Sequence, residues 1–152
     1  MPSLESLRDR WPDFPGLEAS VELTDQTVVA GSTGRGHVLL RNAEGDLIEF
    51  DTDRPFVAKV LDPSTKEIVA GNPGPMLATG LPIRLKPGEE TSVRFVFGTT
   101  TSRDSEAIAL APGDYLVKVD LPVHERRPDG DGSEKSYLTM PLTPARLVRV
   151  ET

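Results

Sequence analysis

His37 and His124 are the only imidazoles in the chain. His37 stands behind Gly36 at the head of a hydrophobic stretch, and His124 stands beside Glu125 at the mouth of a charged segment. Neither has the i, i+4 partner with which a helix holds zinc, and no cysteine is present to complete a ligand set. Both are read as partly exposed side chains without a metal. The run Asp129-Gly130-Asp131-Gly132-Ser133-Glu134 sets oxygen ligands at alternate positions, which suits Ca²⁺. An EF-hand loop would also need an oxygen ligand where Arg127 stands and a glutamate where Leu138 stands. A solvated hairpin tip is the preferred reading of this run. Asp129, Asp131 and Glu134 are the residues that a nonstandard Ca²⁺ loop would use.

Other chemistry finds less support. No Gly-x-Ser-x-Gly elbow is present, and Ser102 and Asp104-Ser105-Glu106 have no histidine near them in sequence. Gly31-Ser32-Thr33-Gly34-Arg35-Gly36 lacks the Gly-Lys-Ser/Thr ending of a phosphate loop and leads into a strand pattern, so it is read as a flexible turn. Carboxylate pairs such as Glu49/Asp51 and Glu89-Glu90 are ordinary on an acidic surface, and a glycosidase dyad is not legible from spacing. Arg126-Arg127 reads as a solvated loop tip. The expectation is a noncatalytic protein with no cofactor.

Composition narrows the partners. With 17 basic and 24 acidic residues the 152-residue chain carries a net charge of −7. That charge repels phosphate backbones and anionic bilayers, so neither nucleic acid nor an anionic membrane surface is expected as a partner. No apolar run approaches the ~20 residues that span a bilayer. The N-terminus has no basic region followed by an apolar run. The chain as it stands reads as cytoplasmic, and as secreted or cell-envelope if Met1 replaces a removed signal peptide. No pattern sets an oligomeric state. Absence of cysteine excludes a disulfide framework.

The elements that must position any site are short strands. Gly and Pro together number 13 + 14 = 27, a turn-rich composition that fits long helices poorly. Glu18–Leu23 alternates and Thr27–Ala30 resumes after Thr24-Asp25-Gln26, as in a first strand that changes sheet halfway. Strands follow at 37–42, 47–50 and 56–61, the last with Phe56, Ala58 and Val60 inward. Asp62-Pro63-Ser64-Thr65-Lys66 turns it into 67–70. Next come a 71–80 loop, a short strand at 83–85, and a strand at 91–97 with Val93, Phe95 and Phe97 on one face. A polar loop at 98–106, a regular strand at 114–121, a charged loop at 124–135 and a last strand interrupted by Pro141 and Pro144 complete the chain. The class is all-β: an immunoglobulin-like or fibronectin-III-like antiparallel β-sandwich of about 7–9 strands over 18–152.

Leu110-Ala111-Pro112-Gly113-Asp114-Tyr115 is the strongest fold marker. Pro112-Gly113 delivers Tyr115 to the start of an alternating strand, the form of a tyrosine corner with a buried ring and a hydroxyl bonded to upstream backbone. Residues 1–17 read as a helical arm packed on the sandwich. Ser3 caps it, Leu4, Leu7 and Trp11 share one face, Pro12 ends it, and Trp11 anchors it.

The order His37–Asn42, Leu47–Phe50, Phe56–Asp62, Lys66–Val69, Leu85-Lys86-Pro87-Gly88-Glu89, Phe95 and Leu110–Tyr115 resembles the bacterial intracellular proteinase inhibitor family of immunoglobulin-like domains (the BsuPI type). The resemblance covers roughly residues 36–121. It implies an Ig-like sandwich and protease inhibition. After the central hairpin, where that family tends to carry a tryptophan segment, this chain has Ala70-Gly71-Asn72-Pro73-Gly74, so no inhibitory residue is carried over.

The function expected is a noncatalytic module that binds another protein through its loops or an exposed strand edge, with the 71–80, 98–106 and 124–135 loops as candidate surfaces. The alternatives are a BsuPI-type protease inhibitor and a carbohydrate- or Ca²⁺-binding sandwich. The low aromatic content, 5% of residues, counts against stacked sugars.

Overall fold

The computed structural model describes residues 16–72, 79–103, 106–124 and 137–152. In chain order the strands are β1 (Leu17–Leu23), β2 (Thr27–Val29), β3 (Thr33–Asn42), β4 (Ile48–Arg54), β5 (Phe56–Val57), β6 (Lys59–Leu61) and β7 (Ile68–Ala70). They continue with β8 (Thr79–Leu85), β9 (Glu90–Gly98), β10 (Thr100–Arg103), β11 (Glu106–Ala109), β12 (Gly113–His124) and β13 (Tyr137–Glu151). One sheet has the order β1-β3-β9-β5. The other runs β2-β13-β12-β4-β8, with β6 also on β12 and β7 on β6. The pair β10-β11 forms a separate ribbon.

The two main sheets share one core. Strict alternation in β9 turns Val93, Phe95 and Phe97 inward, and all three are fully buried beside Val38 and Leu40 of β3. Ile48 and Phe50 of β4, Ile83 and Leu85 of β8, and Val117 to Val123 at alternate positions of β12 come from the other sheet. The architecture is thus an all-β sandwich.

Several details differ from the sequence reading. The described residues hold thirteen strands, more than the 7–9 expected, because two runs are cut where the chain changes sheet and β10 and β11 stand where a loop was expected. The Thr24-Asp25-Gln26 break separates β1 on β3 from β2 on β13. The 56–61 run divides at Ala58: β5 joins β9, and β6 joins β12. Phe56, Ala58 and Val60 are nonetheless all buried. The sheets are mixed and not purely antiparallel, since β2 on β13 and β5 on β9 are parallel pairings. A short segment that has just crossed to the second sheet meets its new neighbour in whichever direction it is already travelling.

The Gly31–Gly36 run is half strand. β3 begins at Thr33, with Gly34 opposite Phe97 and Gly36 opposite Phe95. A Cβ at either glycine would collide with the facing ring. The aromatic rings lie over bare backbone and supply the packing that glycine lacks.

β13 runs unbroken through Pro141 and Pro144, where an interruption was expected. Two features accommodate them. Among the described residues β2 borders β13 only at Arg149–Glu151, so no described strand lies on the second edge near the prolines to need their donors. Pro144 also falls where the β12–β13 register shifts between Val117 and Val119. The 98–106 segment is not a loop but mostly the β10–β11 hairpin. The expected helix at 3–11, its anchor Trp11, and most of the 124–135 loop lie outside the described residues.

Candidate functional site

The Asp62–Lys66 turn shapes one wall of the site. Asp62 Oδ1 accepts hydrogen bonds from the Ser64 and Thr65 amides at 2.8 and 3.0 Å, and the Lys66 amide bonds back to the Asp62 carbonyl at 2.8 Å. The Thr65 and Ser64 amides hold the Asp62 carboxyl below its ordinary pKa. Lys66 takes a left-handed conformation (φ 63°) and returns the chain as β7. Among the described strands β7, three residues long, has only β6 as its partner, which makes it an edge there.

Ala58 and Gly71 pin this edge to the rest of the sandwich. The Ala58 amide donates to Val96 O at 2.8 Å, and the Gly98 amide donates to Gly71 O at 2.8 Å. A Cβ on Gly71 would lie 3.0 Å from the Ala58 carbonyl, so the strands approach this closely only with glycine here. Past Gly98 the chain turns into the β10–β11 ribbon, which leaves the sheet and rises opposite β7.

Between ribbon and edge lies an open groove of about 560 Å³. Its lining includes Val57, Lys59, Ile68, Ala70, Thr101 and Ala107. Ile68 is 62% exposed and Val57 40%, high values for large apolar side chains. Among the described lining residues the ionisable side chain is Lys59, paired with Asp120 at 3.2 Å. Of the loop regions singled out from sequence, Gly71 and Asn72 from 71–80 and Thr100 to Ser102 from 98–106 line the groove.

The histidines are elsewhere. His37 Nε2 lies 3.1 Å from Glu22 on the outer face of the four-stranded sheet, and His124 Nε2 lies 3.2 Å from Asp53 at the end of β12. Among the described residues no three His, Asp or Glu side chains are grouped to hold a metal ion. Asp129, Asp131 and Glu134 lie outside the described residues. Asp25 forms a double contact with Arg35, Nε to Oδ2 at 3.0 Å and Nη2 to Oδ1 at 3.3 Å. The Arg35 guanidinium holds the Asp25 carboxyl below the usual carboxylate range.

Tyr115 is half-buried against the core, and its hydroxyl donates to the Ala111 carbonyl at 2.7 Å, four residues upstream. The bond is solvent-exposed, unlike the buried one expected of the corner. Pro112 is exposed, and Gly113 opens β12. Sequence reasoning missed the role of Asn42 and noted it only as a strand end. It is buried, and its Nδ2 donates to Asp46 O and Leu85 O at 2.8 Å each while Oδ1 accepts from the Glu44 amide at 2.8 Å. The Asn-Ala-Glu-Gly-Asp turn following a strand was the available signal.

No family model and no curated protein matches the chain. Among solved structures, a β-glucosidase from Listeria innocua aligns at 15% identity and a TM-score of 0.47 over 90% of this chain and 16% of its own. A β-glucosidase from Erythrobacter marinus aligns at 15% identity and 0.47 over 82% of this chain and 15% of its own. Spo0M, a sporulation control protein from Bacillus subtilis, aligns at 11% identity and 0.44 over 91% of this chain and 51% of its own. This chain spans about a sixth of the length of the glucosidases and about half that of Spo0M. Likeness at this level carries no functional argument.

Proposed function

We propose that this chain is a noncatalytic module of immunoglobulin-like or fibronectin-III-like type that binds an extended apolar segment of a partner protein in the groove between β7 and β10. The observation that carries this is the pairing of two edge strands across an apolar cleft. Among the described strands β7 has only β6 as neighbour and β10 only β11. An extended peptide gains main-chain hydrogen bonds from such an edge, and Ile68 and Val57 offer apolar contacts for alternate side chains. The Ig-like type is supported by two sheets about one core and by the Tyr115 bond to Ala111. The resemblance over residues 36–121 makes a protease the first partner class to try.

Calorimetric titration with a library of extended apolar peptides tests the binding reading. Peptides that bind the parent are expected to weaken by about tenfold or more with Ile68→Asp, which sets an unpaired charge in the apolar contact. Absence of any binding peptide, or equal affinity of the variant, overturns it. Titration against a panel of serine proteases decides the inhibitor version: activity undiminished at micromolar protein removes it.

A further inference from the structure

A second depression, of about 680 Å³, lies on the outer face of the four-stranded sheet beyond Val96. Its walls are cationic. Gly34 and Gly36 face the core side under Phe97 and Phe95, so the intervening Arg35 and His37 of β3 stand outward. Phe95 points inward in β9, so Arg94 also stands outward, directly opposite His37. Arg54 closes β4 just before Pro55, where the chain passes into β5 beside β9. Arg35, His37, Arg54 and Arg94 thereby line one cleft floored by Pro55 and Val96.

The charges facing this cleft are not balanced. Asp25 is engaged by Arg35 and Glu22 by His37. Arg54 and Arg94 are both exposed, and among the described residues neither side chain has an ion-pair or hydrogen-bond partner. The chain has seven more acidic than basic residues, from 24 − 17 = 7, so carboxylates are not scarce. Setting Arg94 across from His37 places two donor groups side by side, an arrangement a sheet normally avoids when either can be charged.

We infer that this cleft binds an acidic segment of a partner protein, with the unspent guanidinium donors of Arg54 and Arg94 taking its carboxylates. Charge complementarity selects an anion, and the form of the cleft selects a peptide. The donors stand on long exposed side chains over an open sheet face, and the floor between them is apolar. An extended chain can present carboxylates at alternate positions to both arginines while its body crosses Pro55 and Val96. A compact phosphate would instead gain from buried or main-chain donors converging on one point. The cleft is separate from the groove between β7 and β10 and does not depend on the binding proposed there.

The test uses the full chain and a synthetic peptide of about eight residues, alternating glutamate and alanine so that its carboxylates share one face of an extended strand. Titration is followed by amide chemical shifts and by calorimetry. The expected result is perturbation at Ser92, Arg94 and Val96, with an affinity that falls as salt rises. The double variant Arg54→Ala/Arg94→Ala is expected to weaken binding by about tenfold or more. Arg84→Ala, which removes an arginine paired with Glu49 on the other sheet, is expected to leave it unchanged. Because Arg54 and Arg94 are exposed and without partners among the described residues, the double variant should keep the parental melting temperature. The parent's shift map gives a readout that depends on no variant. No binding at millimolar peptide, perturbation elsewhere, or equal weakening by Arg84→Ala overturns the inference. Inorganic phosphate that reproduces the same shifts at equal concentration overturns the choice of a peptide and leaves a small-anion site.

Discussion

Asn42 is buried with all three of its side-chain hydrogen bonds made to main chain. It ties the end of β3 to the 43–46 turn and to the end of β8. Asn42→Leu is close in volume but strands two carbonyls and an amide without partners. The expected cost is about 2–4 kcal/mol, seen as a lower denaturation midpoint with an unchanged slope. Tyr115→Phe removes one hydrogen bond that water can replace, so it should cost about 0.5–1 kcal/mol, less than a buried corner would imply. A melting temperature identical to the parent's would assign Tyr115 to packing alone. Asp25 adds a pH signature. Its folded pKa lies below the unfolded carboxylate value of about 3.9, so its stabilisation is present above that pH and is lost as pH falls through the folded value. Asp25→Asn should therefore melt below the parent at pH 7, and the difference should shrink in strong acid. A difference that stays constant into acid would place its origin outside the carboxylate.

At the scale of elements, β3 and β9 are held by complementary sparseness and bulk. Gly36 faces Phe95, and a Cβ there would meet Phe95 Cε1 at 2.9 Å and the Glu22 carbonyl at 2.7 Å. Because one obstacle is backbone, the neighbour cannot simply rotate away. Gly36→Ala should cost about 1–3 kcal/mol by overpacking. Gly45→Ala, where nothing lies within 4 Å, should be close to neutral in the same chemical denaturation. Equal effects would show that the rings are free to move. Across the other sheet, the described residues of β12 and β4 pair at His124 and Asp51. There the buried Thr52 hydroxyl donates to the Pro122 carbonyl at 2.5 Å, a side-chain bond that ties the two strands together.

Across the whole molecule, the exposed apolar residues contribute little to the fold. Ile68 is absent from the shared core, so Ile68→Asp should shift the melting temperature by no more than about 1–2 °C while weakening peptide binding in the groove by about tenfold or more. A large loss of stability would make Ile68 a packing residue. The Arg54/Arg94 cleft borders the groove along β5 and β9, where Val57 of the groove pairs with Val96 of the cleft, so the two surfaces are neighbours on the molecule.

Much of the architecture was legible because a strand's side chains alternate with period two, and that pattern is local. Val93, Phe95 and Phe97 declared one buried face from seven consecutive residues, and the Asp62–Lys66 turn declared its hairpin from five. Turn chemistry marked Pro112-Gly113 in the same way. The division of 56–61 between two sheets was not legible, since Phe56, Ala58 and Val60 remain buried whichever strand each segment pairs with. Parallel pairing of β2 and β5, the hairpin within 98–106, and passage of β13 through its prolines depend on neighbours supplied by distant chain. The groove depends most on tertiary structure. It exists because Gly71 meets Gly98 and Ala58 closely enough to bring 68–72 beside 100–107, a closure of loops whose energetics no local pattern records. Sequence alone determined that this chain is all-β and which faces of its strands are apolar. Only the tertiary structure decided which edges stay open and which charges share a cleft, because these follow from contacts between residues far apart in the chain.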